Sequence, residues 1–145
     1  MKLKNTSVYL LAGWMLAACS GGGFQKTENG VVVEVKQQQP TDVRKVRLEV
    51  MGEKLIHVSA TPEKEFSKEQ SLIVIPQQNK TDFKVEEQGD EVTVKTSELC
   101  AIVSKTTGEV RFTDADGKQI LAEDSDGRTF TPVEVEGTKG NTVRQ

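Results

Sequence analysis

Val110-Arg111-Phe112-Thr113-Asp114-Ala115-Asp116-Gly117-Lys118-Gln119-Ile120-Leu121-Ala122 decides the fold. Val110 and Phe112 alternate with Glu109, Arg111 and Thr113, a period of two that makes one face apolar and the other polar. An Asp- and Gly-rich turn follows, and glycine there supplies the positive φ that tight connections require. The stretch therefore reads as a hairpin of an antiparallel sheet with one wet face.

The same grammar runs through the chain on both sides. Val31, Val33 and Val35 alternate with Val32, Glu34 and Lys36. Val46, Leu48 and Val50 alternate with Lys45, Arg47 and Glu49; Val92 and Val94 with Thr93 and Lys95; Val133 and Val135 with Glu134 and Glu136. Leu55–Ala60, Leu72–Ile75 and Leu99–Val103 are apolar on both faces apart from His57 and Ser59, so they are expected to be the more deeply covered strands. Turn signals fall at Met51-Gly52-Glu53, Gln88-Gly89-Asp90, Thr106-Thr107-Gly108, Asp126-Gly127 and Lys139-Gly140-Asn141. Short strands at this spacing predict an all-β antiparallel sandwich. Thr61 could cap a helix over 62–70, but Phe66 is its only apolar anchor, so a loop with at most two turns is expected.

The N-terminus carries a different message. Lys2 and Lys4 precede an uncharged run of 11 residues, Val8 to Ala18, and then Leu16-Ala17-Ala18-Cys19 leads into Ser20-Gly21-Gly22-Gly23. The apolar run is too short to cross a bilayer of about 30 Å as a helix. Charged end, apolar core, small residues and cysteine form a bacterial lipoprotein signal. Residues 1–18 are expected to be removed, Cys19 to be lipidated, and 19–29 to act as a flexible tether for a sandwich over 30–145. With no acidic residue among Ser20–Gly23, an outer-membrane anchor facing the periplasm is expected.

Cleavage changes the composition. The mature 127 residues lose Trp14, Tyr9, Lys2 and Lys4, and the formal charge moves from −3 to −5. Mild acidity without a Lys/Arg stripe argues against nucleic acid. Without Trp or Tyr, a free-standing sugar-stacking surface is disfavoured.

No constellation selects a catalytic, cofactor or metal residue. With Cys19 taken by lipid, Cys100 is alone in an apolar strand and reads as a small buried hydrophobe. His57 lacks a second His or a Cys for zinc, and no nucleophile-elbow pattern surrounds any serine, so it reads as a structural histidine. Asp114-Ala115-Asp116-Gly117 and Asp124-Ser125-Asp126-Gly127 resemble calcium-loop fragments. Placing either glycine at the sixth loop position puts Phe112 or Ala122 at the first, where a carboxylate is needed. Asp-Gly turn chemistry explains both. The 22 carboxylates offer no preferred pair.

Three segments carry a resemblance: Val46–Val50 with Lys54–Val58, Phe83–Val85 with Asp90–Leu99, and Ser104–Glu123. In order and spacing they resemble the N-terminal β-sandwich of glycoside hydrolase family 31, over about Gly30 to Gln145. The resemblance implies a galactose-mutarotase-like fold that precedes a catalytic (β/α)8 barrel. It also implies retaining hydrolysis through two carboxylates in that barrel. Family members place the nucleophile aspartate in a Trp-containing motif absent here, so no catalytic position carries over. Among such lipoproteins the chain looks most like α-xylosidases acting on xyloglucan fragments, with α-glucosidases as the alternative. A strand beginning at Thr142 and running to Gln145 suggests that the chain is part of a longer enzyme. Its partners would then be its own barrel, an oligosaccharide substrate through that barrel, and the membrane through lipid alone. The competing readings are a self-contained periplasmic lipoprotein that binds a glycan or protein, and a purely structural envelope lipoprotein. A sandwich that docks on a barrel is expected to expose an apolar patch, so that the isolated chain is marginally stable or self-associates.

Overall fold

The computed structural model describes residues 23–68 and 80–145. The signal segment, Cys19 and the expected strand Leu72–Ile75 lie outside the described residues. Eleven strands occur among those described, with no helix. The fold is all-β and antiparallel, consistent with a galactose-mutarotase-like sandwich.

The first sheet has four strands in sequence order: β1 (Phe24–Lys26), β2 (Gly30–Glu34), β3 (Lys45–Gly52) and β4 (Leu55–Thr61). The second has five, also in order: β5 (Lys84–Gln88), β6 (Glu91–Lys95), β7 (Leu99–Ser104), β8 (Val110–Asp114) and β9 (Gln119–Ala122). The last two strands, β10 (Thr129–Val135) and β11 (Thr138–Arg144), pair only with each other among the described residues.

Register explains the core. Val31 pairs with Leu48, and Leu48 with Val58; Val33 pairs with Val46, and Val46 with Ala60. In the second sheet Val92 pairs with Val103 and Val103 with Val110, while Val94 pairs with Ala101 and Ala101 with Phe112. Each set lines one face, because side chains on neighbouring strands at paired positions point the same way. The two faces meet in one cluster that contains Val31, Val33, Val46, Leu48, Val92, Val94, Ala101, Val103 and Val110. The alternation read from the sequence is therefore the core pattern for β2, β3, β6 and β8.

Several expectations are corrected. Residues 24–26, part of the expected tether, form β1 instead, and its Phe24 pairs with Val33 and packs on the core. β7 is the middle strand of its sheet and buries Cys100, Ala101 and Val103, as expected. β4 is not comparably covered: among the described residues it lies at the edge of its sheet, Leu55 is exposed at the turn, and Ile56 and Thr61 are its buried residues. Residues 62–68 form no helix, in keeping with the loop expected there, and the Phe66 ring lies beneath the Arg47 guanidinium, its centroid 4.6 Å from the guanidinium carbon.

The largest difference is at the last hairpin. Lys139-Gly140-Asn141 is not a turn but the interior of β11, and the strand begins at Thr138 rather than Thr142. The connection is Glu136-Gly137, with φ of 49° and 80°. Two successive positive φ values make the type I′ turn that suits a two-residue hairpin. Val133 and Val135, expected to be inward, are 38% and 62% exposed.

Candidate interaction surface

His57, the lone imidazole, sits on β4 opposite Glu49 of β3. Its Nδ1 lies 3.0 Å from Glu49 Oε2. The same carboxylate oxygen is 3.3 Å from Arg47 Nε, an ion pair whose N–H is poorly aligned for a hydrogen bond. Arg47 also donates from Nη2 to Ser59 Oγ at 3.4 Å. The cluster is an outward-facing structural network along paired strands, and among the described residues no nucleophile is aligned to the imidazole.

The aspartates of the calcium-like fragments are occupied by turns. Asp114 Oδ1 accepts from the Asp116 and Lys118 amides at 3.0 and 2.8 Å, and Gly117 follows at φ 85°. The Asp124 carbonyl accepts from Gly127 N at 2.9 Å, and its carboxylate meets Arg144 at 3.2 Å. Among the described residues no three His, Cys, Asp or Glu side chains converge as metal ligands would.

Asp90 clamps two turns of the second sheet. Its carboxylate accepts from the Ser104 and Thr106 hydroxyls, both at 2.7 Å. Those hydroxyls, Ser104 first, hold its carboxyl below the usual aspartate range. Hydrogen bonds to the charged form favour that form.

The root of the β10–β11 hairpin is more enclosed. Arg128 donates to Glu123 from Nη2 and to Gln145 Oε1 from Nε at 3.1 Å. Glu123 also accepts from Val110 N at 3.1 Å. Burial pushes the Glu123 carboxyl above its usual range, against the attraction of Arg128. Arg128 Nη1 is buried without a partner among the described residues. Backbone bonds from Val43 N to Arg128 O (3.1 Å) and from Phe130 N to Thr41 O (2.7 Å) tie the root to the segment before β3.

Beyond this anchored root the ribbon is exposed on both faces. Thr131, Val133, Val135, Thr138, Gly140 and Thr142 share one face, with Arg144 at its root end, as the pairing requires. Phe130 and Val143, with the Glu134–Lys139 pair, lie on the other. A two-stranded ribbon is marginal in water unless another element covers it. The ribbon exposes Val133, Val135 and Val143, and its extent is not evident from the sequence because Gly140-Asn141 carries the same turn chemistry as Glu136-Gly137. The signal that could have found it is Val-Glu-Val-Glu-Gly-Thr, alternation running directly into a two-residue turn.

Comparison with known proteins places this architecture. The family described as the glycosyl hydrolase 31 N-terminal galactose mutarotase-like domain matches residues 45–143. The chain is 39% identical to a GH31 α-xylosidase from Xanthomonas citri, with a TM-score of 0.72 over 82% of this chain and 13% of that one. A GH31 α-xylosidase from a soil metagenome, solved with xylose, is 25% identical, with a TM-score of 0.56 over 69% of this chain and 14% of that one. An uncharacterised Listeria monocytogenes protein solved with glucose, magnesium and calcium shares the fold at 16% identity, with a TM-score of 0.54 over 70% of this chain and 9% of that one. The chain thus spans about one seventh of the α-xylosidases it matches. It belongs to the glycosyl hydrolase 31 N-terminal galactose mutarotase-like domain family.

Proposed function

We propose that the chain is the non-catalytic N-terminal sandwich of an envelope-anchored α-xylosidase that acts on xyloglucan oligosaccharides. The observation that carries this reading is the match to a GH31 α-xylosidase at 39% identity, over most of this chain but a small share of that one. Retaining hydrolysis by two carboxylates belongs to the catalytic barrel. The sandwich supplies a rigid two-sheet body, with the β10–β11 ribbon as its docking element. Cys19 is the attachment point for lipid, and the anchor holds the enzyme on the outer membrane facing the periplasm.

A chimaera tests the assignment. Residues 23–145 replace the corresponding domain of the Xanthomonas citri enzyme, and hydrolysis of an α-xyloside and an α-glucoside chromogenic substrate is compared. The chimaera is expected to hydrolyse the α-xyloside in preference, and the chain alone neither. A folded but inactive chimaera, or hydrolysis by the chain alone, overturns the reading. The anchor is tested separately: lipid labelling and membrane fractionation are expected to be lost in Cys19→Ser.

A further inference from the structure

We propose that the end of the sandwich at which β1 begins rests against a phospholipid surface, and that the opposite end, at the β3–β4 and β6–β7 turns, stands away from it. The proposal rests on lipid attachment at Cys19, the anchor proposed above.

The length of the link sets the distance. A tether over 19–29 would let the domain float up to about 36 Å from its lipid. β1 begins at Phe24, however, and Gly23 just before it is already held, its carbonyl accepting from Glu34 N at 2.6 Å. The link from Cys19 to this fixed point of the sheet reaches at most about 14 Å in any conformation. A folded domain is about 30 Å across, so none fits between Gly23 and the bilayer. The rest of a longer enzyme has to lie beside or beyond this end.

The link leaves from an end of the sheets and not from a face. Glu34 pairs with Lys45, the first residue of β3, so Gly23 lies where β3 starts. A Cβ built on Gly23 would lie 3.7 Å from Lys105 Cδ, which brings the β7–β8 turn to the same end. Lys105 O accepts from Lys36 N and Lys105 N donates to Asp90 O, both at 2.8 Å, which adds the β2–β3 connection and the β5–β6 turn. From Lys45, β3 runs to Gly52, a rise of about 23 Å. There Thr96 Oγ1 donates to Glu53 O at 2.6 Å and Lys54 pairs with Glu98 at 3.8 Å. The β3–β4 and β6–β7 turns thus close the far end together.

The chemistry of the near end suits headgroups. Lys36, Lys45 and Lys105 stand there with Glu34, Glu87 and Asp90, and Lys45–Glu34 and Lys105–Glu87 are ion pairs. Charges of both signs balance, so the contact needs no anionic lipid. Among the described residues the exposed large apolar side chains lie elsewhere: Leu55 at the far turn, Ile120 and Leu121 on β9, and Val133, Val135 and Val143 on the ribbon. The near end therefore meets headgroups without inserting, and the lipid on Cys19 alone enters the bilayer.

Fluorescence quenching tests this. The lipidated chain is reconstituted in zwitterionic vesicles that carry a nitroxide quencher on their headgroups. One fluorophore is attached at Gln88→Cys, near the link, or at Lys54→Cys, at the far turn; Cys100 is buried and stays unlabelled. Quenching is expected to be severalfold stronger at 88 than at 54. Inserting about twelve Gly and Ser residues between Gly21 and Gly22 adds about 40 Å of reach and is expected to erase most of that difference. In vesicle-bound chain, equal quenching at the two positions, or a signal at 88 that the insertion leaves unchanged, overturns the proposal while the anchor at Cys19 stands. A chain that stays off the vesicles overturns the anchor, and the proposal with it.

Discussion

Arg128 donates to Glu123 across a contact in which the two side chains are only 9% and 12% exposed. Four residues separate them in sequence, yet the pair joins the end of the second sheet to the start of the last hairpin.

A buried pair of this kind is most costly when only half of it is removed, because the remaining charge stays in a poorly solvated site. Arg128→Met should lower stability by about 3 kcal/mol. Glu123→Leu combined with Arg128→Met should recover much of that loss, since no charge is left unpaired. Urea midpoints of the single and double variants measure the difference.

Glu123 and Asp90 should leave opposite marks on stability against pH. The Glu123 carboxyl is raised by burial, so the folded chain holds its proton more tightly than the unfolded one. Its contribution is fully present below the ordinary glutamate value and is lost as pH rises through the raised one. Asp90 is lowered by the Ser104 and Thr106 hydroxyls, so its contribution is present above the ordinary aspartate value and is lost as pH falls through the lowered one. The stability difference between the parent chain and Glu123→Gln should therefore shrink from acid to neutral pH. The difference from Asp90→Asn should grow over the acid range. Denaturant titrations at a series of pH values check both slopes.

Two glycines in the same φ region should respond differently to alanine. Gly117 has φ of 85° and open space where a Cβ would sit, so Gly117→Ala should cost only the left-handed strain, about 1 kcal/mol. Gly127 has φ of 72°, and its Cβ would lie 2.0 Å from the Thr107 carbonyl oxygen, a backbone atom. Strain and overpacking then add, and Gly127→Ala should cost about 3 kcal/mol. Thermal melts of the two variants are the check. Equal losses would show that the loop at 127 moves freely against the β7–β8 turn.

These residues also show where sequence reading succeeds. The Val31/Val33, Val46/Leu48 and Val92/Val94 rows were legible because a face buried on one side forces period-two alternation. Leu48, fully buried, is the test of that core: Leu48→Ala should cost about 3 kcal/mol. The last hairpin was misread for a physical reason. Two dipeptides, Glu136-Gly137 and Gly140-Asn141, can both turn, and the choice is made by pairing Phe130 with Val143. β1 is three residues long and was hidden by its glycine-rich surroundings. Arg128 could not be recognised at all, because its burial depends on Glu123, Gln145 and the Thr41–Val43 segment meeting in space.

The outer face of the first sheet supplies the last prediction. Glu49 serves two partners on two strands, the Arg47 guanidinium beside it and the His57 ring opposite. Removing His57 leaves the Arg47–Glu49 pair and the Arg47–Phe66 stack in place. Removing Glu49 leaves Arg47 and His57 without their shared carboxylate and frees Arg47 to swing off Ser59 and Phe66. Glu49→Ala should therefore destabilise more than His57→Ala, by about 1 kcal/mol at low salt, since the groups are partly solvated. The gap should narrow in high salt, where such pairs are screened. Urea unfolding of both variants at two salt concentrations measures it. An equal loss for the two variants, unchanged by salt, would mean that Glu49 does not hold Arg47 over Phe66.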